Sequence, residues 1–406
     1  MVQSEQALTE RSNDPRARRM AVIAFINQNM AMACFWGSFS VLLGAVSARL
    51  GVGRELSTMA VPVLILSTAF FAPIVGVAAA RCSLRLIMLA GALLNVIGFL
   101  LLAVTSTYSL YLLIIGVVLG PAMASGIILP STLVTRWFVV NRAKVLAVVT
   151  APIILAAIPL SATWVLKSYG LPAVYFALSS FSIIAVYANL FIEEAPNRSC
   201  PNVAVDAQEH TGDTSTIGVL SFFRSPCFWS LTFAFTSTIT GSFILSIHMV
   251  QMAKSWGMSA TLGASLLSIG LLTSFAGTLL FSWIADRFGG FVAIVILVLT
   301  TGTLWMMLLL HLSVMAIAVV VGLIGASSAG GTPAISLALS EAFGEENFSR
   351  AYGLVNLISM PFSAFCVPVV TYIFIRTNSY NGALAGLATL MILSGLATLW
   401  SESRAN

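Results

Sequence analysis

A histidine inside an apolar run is the first residue here whose chemistry stands out. His248 lies in Ser246-Ile247-His248-Met249-Val250, and ionisable side chains in such surroundings are costly and usually functional. Its imidazole can titrate near neutral pH and couple a proton to solute movement, or donate one hydrogen bond to that solute. The competing reading is a packing histidine satisfied by its neighbours. Helical spacing gathers three polar stripes around it: Ser237, Gly241 and His248; Gly270, Ser274 and Thr278; Asn356, Ser359 and Ser363. Each stripe suits a solute cavity, but for any single Ser or Gly in it the first reading is close helix packing through small residues and hydroxyls. Asn27 and Asn356 carry amides that are harder to hide in lipid, and Trp36 is an aromatic for a pathway or for packing. The substrate-binding candidates are therefore Asn27, Trp36, Ser237, His248, Ser274, Thr278, Asn356 and Ser359, with His248 also the proton-coupling candidate.

Other chemistries are missing. Within the apolar runs no nucleophile, metal cluster or pair of carboxylates occurs at useful spacing, so no catalytic residues are assigned and an enzyme is not expected. Cys34, Cys82, Cys200, Cys227 and Cys366 stand far apart, which signals neither a disulfide framework nor a thiolate metal site, and no cofactor is expected. Lys144, Lys167 and Lys254 follow Ala143, Leu166 and Ala253, so there is no G-K-[ST] phosphate loop to couple work to nucleotide hydrolysis. Any energy must come from gradients.

The elements that position these residues follow from composition. Of 406 residues, 59% are apolar and 8% charged, which excludes a water-facing surface of ordinary make-up. The net charge of +5 is spread too thinly for a nucleic-acid face. A spanning helix needs roughly 20 apolar residues because lipid offers the backbone no partner. Twelve stretches qualify, beginning near Met20, Leu56, Leu84, Tyr108, Lys144 and Leu171, then near Phe228, Leu262, Phe291, Val314, Ala351 and Ala383. The first is too long for a signal-peptide core and reads as a retained helix. Hydropathy collapses from Glu193 to Arg224. The expected organisation is a cytoplasmic tail over 1–19, a six-helix bundle over 20–193, a cytoplasmic linker over 194–224, and a second six-helix bundle with a short tail over 225–406. With both termini inside, fourteen of the 19 Lys and Arg fall in cytoplasmic segments and five outside, as the positive-inside rule requires.

The halves look duplicated. Gly76-Val-Ala-Ala-Ala80-Arg81-Cys-Ser-Leu-Arg85 follows the second span and Ser282-Trp-Ile-Ala-Asp286-Arg287-Phe-Gly289-Gly290 follows the eighth, with Arg81 and Arg287 separated by 206 residues. Arg142-Ala143 and Arg350-Ala351 follow the fourth and tenth spans, 208 apart. At these loops the chain resembles the major facilitator superfamily, whose signature is G-x-x-x-D-R-x-G-R. The second copy keeps Asp286-Arg287-Phe288-Gly289, while the first has Ala80 for the aspartate and Ser83 for the glycine. Finer motifs resemble the bacterial monocarboxylate-transporter-like branch: Ala48-Arg49-Leu50-Gly51-Val52-Gly53-Arg54, Arg136-Trp137-Phe138, and Phe348-Ser349-Arg350-Ala351-Tyr352-Gly353-Leu354.

The resemblance implies an all-α membrane protein of two pseudo-symmetric six-helix bundles, working by alternating access in a bacterial cytoplasmic (inner) membrane. Its partners would be the lipid bilayer, a small-molecule substrate and protons; it would bind no nucleic acid and act as a monomer. It also implies a cytoplasmic gate, with Asp286 reaching Arg350 at the start of helix 11 and Arg287, Arg81 and Arg142 as further members. Relatives carrying monocarboxylates have an intramembrane arginine on helix 8, where this chain has Thr278, with Ser274 at the partner position. That substitution favours a neutral or weakly acidic substrate, because a buried anion without a cation is costly. Helix 5, Thr150-Ala151-Pro152 to Ala156-Ala157-Ile158-Pro159, lacks the glycine-rich pattern of drug:proton antiporters. The expected function is secondary transport of a small organic solute, monocarboxylate-like and proton-coupled. The alternatives are an exporter of a neutral or apolar metabolite, or a non-transporting sensor.

Overall fold

The computed structural model describes residues 15–138, 142–193, 219–310 and 312–402, and these form helices and short turns. Eleven helices among the described residues are long and apolar enough to cross a membrane. They are α1 (Pro15–Leu50), α2 (Arg54–Ala79), α3 (Leu84–Val104), α4 (Tyr108–Trp137), α6 (Leu171–Asn189), α7 (Pro226–Ser255), α8 (Ala260–Phe288), α9 (Gly290–Met307), α10 (Val314–Phe343), α11 (Arg350–Thr377) and α12 (Asn381–Ser401). Between α4 and α6 lies α5, in two pieces, Arg142–Val149 and Ile153–Tyr169. Most of the predicted linker, and His210 within it, lies outside the described residues, as does His311.

The chain divides into two compact units. Unit 1 comprises Met1–Ser38, Gly44–Val52 and Val63–Gly212; unit 2 comprises Phe39–Leu43, Gly53–Pro62 and Asp213–Asn406. The division is therefore not a single cut, because the middle of α1 and the start of α2 cluster with the second half.

Unit 1 is built on α1 against α4 and α3 against α6. Small residues bring these helices close: a Cβ on Gly126 would strike the Ala31 methyl, and one on Gly91 would strike the Ser125 hydroxyl. The expected continuous helix 5 is broken. Pro152 has no N–H to continue the ladder and disfavours helical geometry at Ala151. The freed groups find a partner on α1, where Asn29 Nδ2 donates to Val149 O at 3.4 Å and Asn29 Oδ1 accepts from Ile154 N at 3.2 Å. Beside it, α1 widens into a π-turn at Ala33–Gly37, and Gly37 rests against Ile158 of α5.

In unit 2, α8 packs on α10 and α9 on α12, while α7 packs on α8, α11 and α12. The α8–α10 contact depends on missing side chains: a Cβ on Gly325 would overlap the backbone of Gly270, and one on Gly277 would overlap that of Ala326. Thr273 Oγ1 adds a 2.7 Å bond to Gly322 O.

Candidate functional site

Helix α7 carries hydroxyls bonded to two neighbouring helices, on faces that include its predicted stripe. Thr236 Oγ1 lies 2.7 Å from Ser359 Oγ, and four residues on, Thr240 Oγ1 donates to Ser363 Oγ at 2.9 Å. Both pairs are separated by 123 residues, so α7 and α11 run parallel in register. On another face, Ser230 pairs with Ser401 at 2.8 Å and Ser237 with Ser394 at 3.3 Å. Advancing seven residues on α7 retreats seven on α12, the mark of an antiparallel pair. Each such bond contributes about 0.6 kcal/mol, with a maximum near ~1.7 kcal/mol, in a membrane bundle. Ser237 and Ser359, two of the substrate-binding candidates, are thus buried in helix-to-helix bonds.

His248 continues this helix and is 1% exposed. Its Nε2 lies 3.2 Å from Val367 O, and because a carbonyl only accepts, Nε2 carries the proton. Nδ1 is then an acceptor, and it is buried without a partner among the described residues. The ring lies against Tyr380, with centroids 5.8 Å apart, and Tyr380 stacks on Phe374 at 4.4 Å. Nearby on α7, Val250 N donates to Ser40 Oγ at 3.3 Å, and Gln251 Nε2 to Ser40 O at 3.5 Å.

The helix-8 stripe serves its own helix and α10. Ser274 Oγ donates to Leu271 O at 2.6 Å, Thr278 Oγ1 to Ser274 O at 3.0 Å and more weakly to Ala329 O at 3.5 Å. Both residues are half-buried. Asn356 on α11 is half-buried as well, its Nδ2 donating to Tyr352 O at 2.8 Å.

In unit 1, Asn27 is doubly engaged. Its Nδ2 donates to Asn189 Oδ1 at 2.6 Å, and Asn189 Nδ2 returns a bond to Asn27 Oδ1 at 2.9 Å and another to Met88 O at 3.0 Å. This amide pair ties α1 to α6 and α3. It borders a pocket also lined by Asn95, Ser125, Met30 and Met88, with room for about one water molecule. Asn95 Nδ2 donates to Ser182 Oγ at 3.3 Å. Trp36 is half-buried and meets Phe35 edge-on at 5.4 Å. Next to Asn27, Gln28 is 8% exposed, and its Oε1 is buried without a partner among the described residues. Asn29, Asn95 and Asn189 were absent from the sequence-derived candidates, although each is an amide in an apolar span, the same signal that selected Asn27.

The expected gate pair is not formed. Asp286 and Arg350 are exposed, and no ion pair within 4.0 Å joins them or involves either among the described residues. The physical reason is helix order: α8 and α11 each pack on α7 rather than on each other. Arg287 instead lies over the rings of Trp283 and Phe288, at 5.6 and 5.7 Å. Arg81 is exposed on the last turn of the second helix, which runs on to it, and the side chain of Arg142 lies outside those described. Two residues hold this end of each unit: Arg136, prominent in the sequence only as part of a motif, and Glu341, which no sequence motif singles out. Arg136 Nη2 donates to Ala79 O, near the end of α2, at 2.9 Å, and Glu341 accepts from Gly290 N, the first residue of α9, at 3.0 and 2.9 Å. In unit 1, Glu193 pairs with Arg19 at 3.3 Å and Arg16 at 3.9 Å.

Comparison with known proteins gives this arrangement its context. The family model described as Major Facilitator Superfamily matches residues 24–368. Among solved structures, a point mutant of the nucleoside transporter NupG superposes with a TM-score of 0.70 over 95% of this chain and 99% of its own, at 13% identity. No curated protein matches in sequence. At that identity the likeness to NupG is one of fold. The family match spans most of the chain, from α1 into α11, and with the apolar helices it shows that this integral membrane protein belongs to the major facilitator superfamily of secondary transporters.

Proposed function

We propose that this transporter carries a small monocarboxylate-like solute together with a proton, across a bacterial inner membrane and with both termini cytoplasmic. The observation supporting coupling is His248, an ionisable side chain in a spanning helix whose Nδ1 is buried and unbonded. A nitrogen left in that condition costs free energy unless it takes up a proton or a donor during the cycle. The organic-acid reading rests on the branch motifs at Arg49 to Arg54, Arg136 to Phe138 and Phe348 to Leu354. Asn356, Ser274, Thr278 and Trp36 remain proposed lining residues, since each is half-buried. Asn27, Ser237 and Ser359 are proposed to hold the helices that carry them.

The alternative is a neutral solute, such as a nucleoside or another uncharged metabolite, and one observation favours it: Ser274 and Thr278 offer hydroxyls already turned onto backbone carbonyls, and no cation. Uptake of labelled carboxylates and of their uncharged analogues into proteoliposomes, with and without an inward proton gradient, tests the proposal. Accumulation of the acids that grows with the gradient is expected. Uptake of the uncharged analogues alone, indifferent to pH, would establish the alternative.

A further inference from the structure

The carboxylate reading raises a question of charge, because helix 8 supplies no cation at Thr278. A cation is present elsewhere in unit 2. Arg54 opens α2 and is half-buried. Among the described residues it makes no ion pair and no hydrogen bond. The adjacent Glu55 curls back over Gly53, whose own Cβ position its carboxylate carbon would meet at 2.6 Å. Other cations near helix ends of this kind are engaged: Arg49 Nη2 donates to Ala103 O at 2.8 Å within unit 1, and Arg376 lies 5.3 Å from the centre of the Tyr372 ring. A partly desolvated guanidinium with none of its five donors used is a ready receptor for a carboxylate, which it can take in bidentate fashion.

The surroundings of Arg54 supply further polar atoms. The segment Arg54–Thr58 packs on α11, and just beyond the end of that helix stands Tyr380, 3% exposed, whose hydroxyl makes no hydrogen bond among the described residues. The Arg54 charge acts on the Tyr380 phenol. Burial pushes that phenol up, against a smaller downward pull from Arg54, so it stays a neutral donor. Behind Tyr380 lies the His248 ring with its open Nδ1. Phe374, stacked on Tyr380, walls the group with apolar surface.

We propose that Arg54 and the Tyr380 hydroxyl form a recognition site for a small carboxylate, with His248 Nδ1 behind them as the acceptor for a hydrogen-bond donor on the same molecule. The site lies at the end of unit 2 that carries the start of α2 and the α7–α8 and α11–α12 turns, opposite the Asp286–Arg287 loop. It rests on the organic-acid reading above and supplies the positive charge that helix 8 lacks. Tyr380 covers His248, so the carboxylate engages Arg54 and the phenol first, and the imidazole is reached when the tyrosine ring swings aside. Hydroxy acids are accordingly favoured over the same acids without a hydroxyl.

The test uses the full chain in proteoliposomes with propanoate, lactate and pyruvate, each beside its primary amide. The acids should be carried in preference to the amides, and lactate should have the lowest KM. Arg54→Gln should raise KM for the acids by about tenfold or more, the loss expected for one charge-assisted contact, while Arg54→Lys restores much of it. Tyr380→Phe should raise KM several-fold with little change in maximal rate, and Arg376→Gln should change neither. Unfolding temperatures in detergent show whether each variant is folded. If acids are carried and folded Arg54→Gln keeps the original KM, this site is wrong and the organic-acid reading stands. If only amides are carried, both fall.

Discussion

His248 keeps one nitrogen open on a helix that is otherwise bonded on two sides. Its Nε2 is committed to Val367 O, while Nδ1 has nothing. Glutamine at this position retains an N–H for Val367 O and cannot titrate. In His248→Gln we therefore expect solute exchange between preloaded vesicles to continue while uptake loses its response to a proton gradient. A preserved gradient response would remove the histidine from coupling. The other residues divide according to what a single sequence can reveal. Hydrophobic surroundings made His248, Asn27 and Asn356 conspicuous, because polar groups in lipid need partners. The partners themselves were hidden. Asn27 and Asn29 are two positions apart and about 200° around a helix; one faces Asn189 on α6 and the other the break in α5. Only the packed bundle reveals which neighbour each amide meets. Arg54 and Tyr380 were not singled out as binding residues for a related reason: Arg54 is the first residue of α2 and Tyr380 lies in the turn before α12, and at the ends of spans charge and aromatic residues look ordinary.

At the scale of helices, lipid itself made the pattern readable. Runs of apolar residues at least a bilayer long have almost no alternative to a spanning helix, and the predicted starts at Leu84, Tyr108, Leu171 and Val314 coincide with observed helix starts. Helix 5 departs from the expectation. Its apolar run continues through Pro152, so hydropathy registers no interruption where the hydrogen-bond ladder stops. The stripe Gly270, Ser274, Thr278 likewise had two readings, and the α8–α10 contact shows how its glycine is used. Gly325 and Gly270 touch through their backbones. A valine at 325 would force these helices apart and strain the 2.7 Å bond from Thr273 to Gly322. Gly325→Val should lower the unfolding temperature by several degrees, a loss of ~1–3 kcal/mol typical of overpacking. An unchanged melting curve would mean that the helices are not so closely held.

For the whole molecule, sidedness is the property most open to direct measurement. Cys82 is exposed in the turn between α2 and α3, which the positive-inside count assigns to the cytoplasm. In a variant retaining only this cysteine, a membrane-impermeant maleimide should label inside-out vesicles and spare right-side-out ones. The reverse would invert the proposed orientation. The repeat was legible from Arg81 and Arg287, yet the same spacing conceals a divergence. Arg136 and Glu341 lie 205 residues apart, nearly the repeat offset, and carry opposite charge. The arginine holds a carbonyl near the end of α2, and the glutamate holds the first N–H of α9. Each charge complements the pole of the helix it touches. The two halves are therefore not exchangeable parts at this point: transplanting either side chain into its counterpart's place would set like against like, so any working chimera must move each fastener along with the helix end it grips.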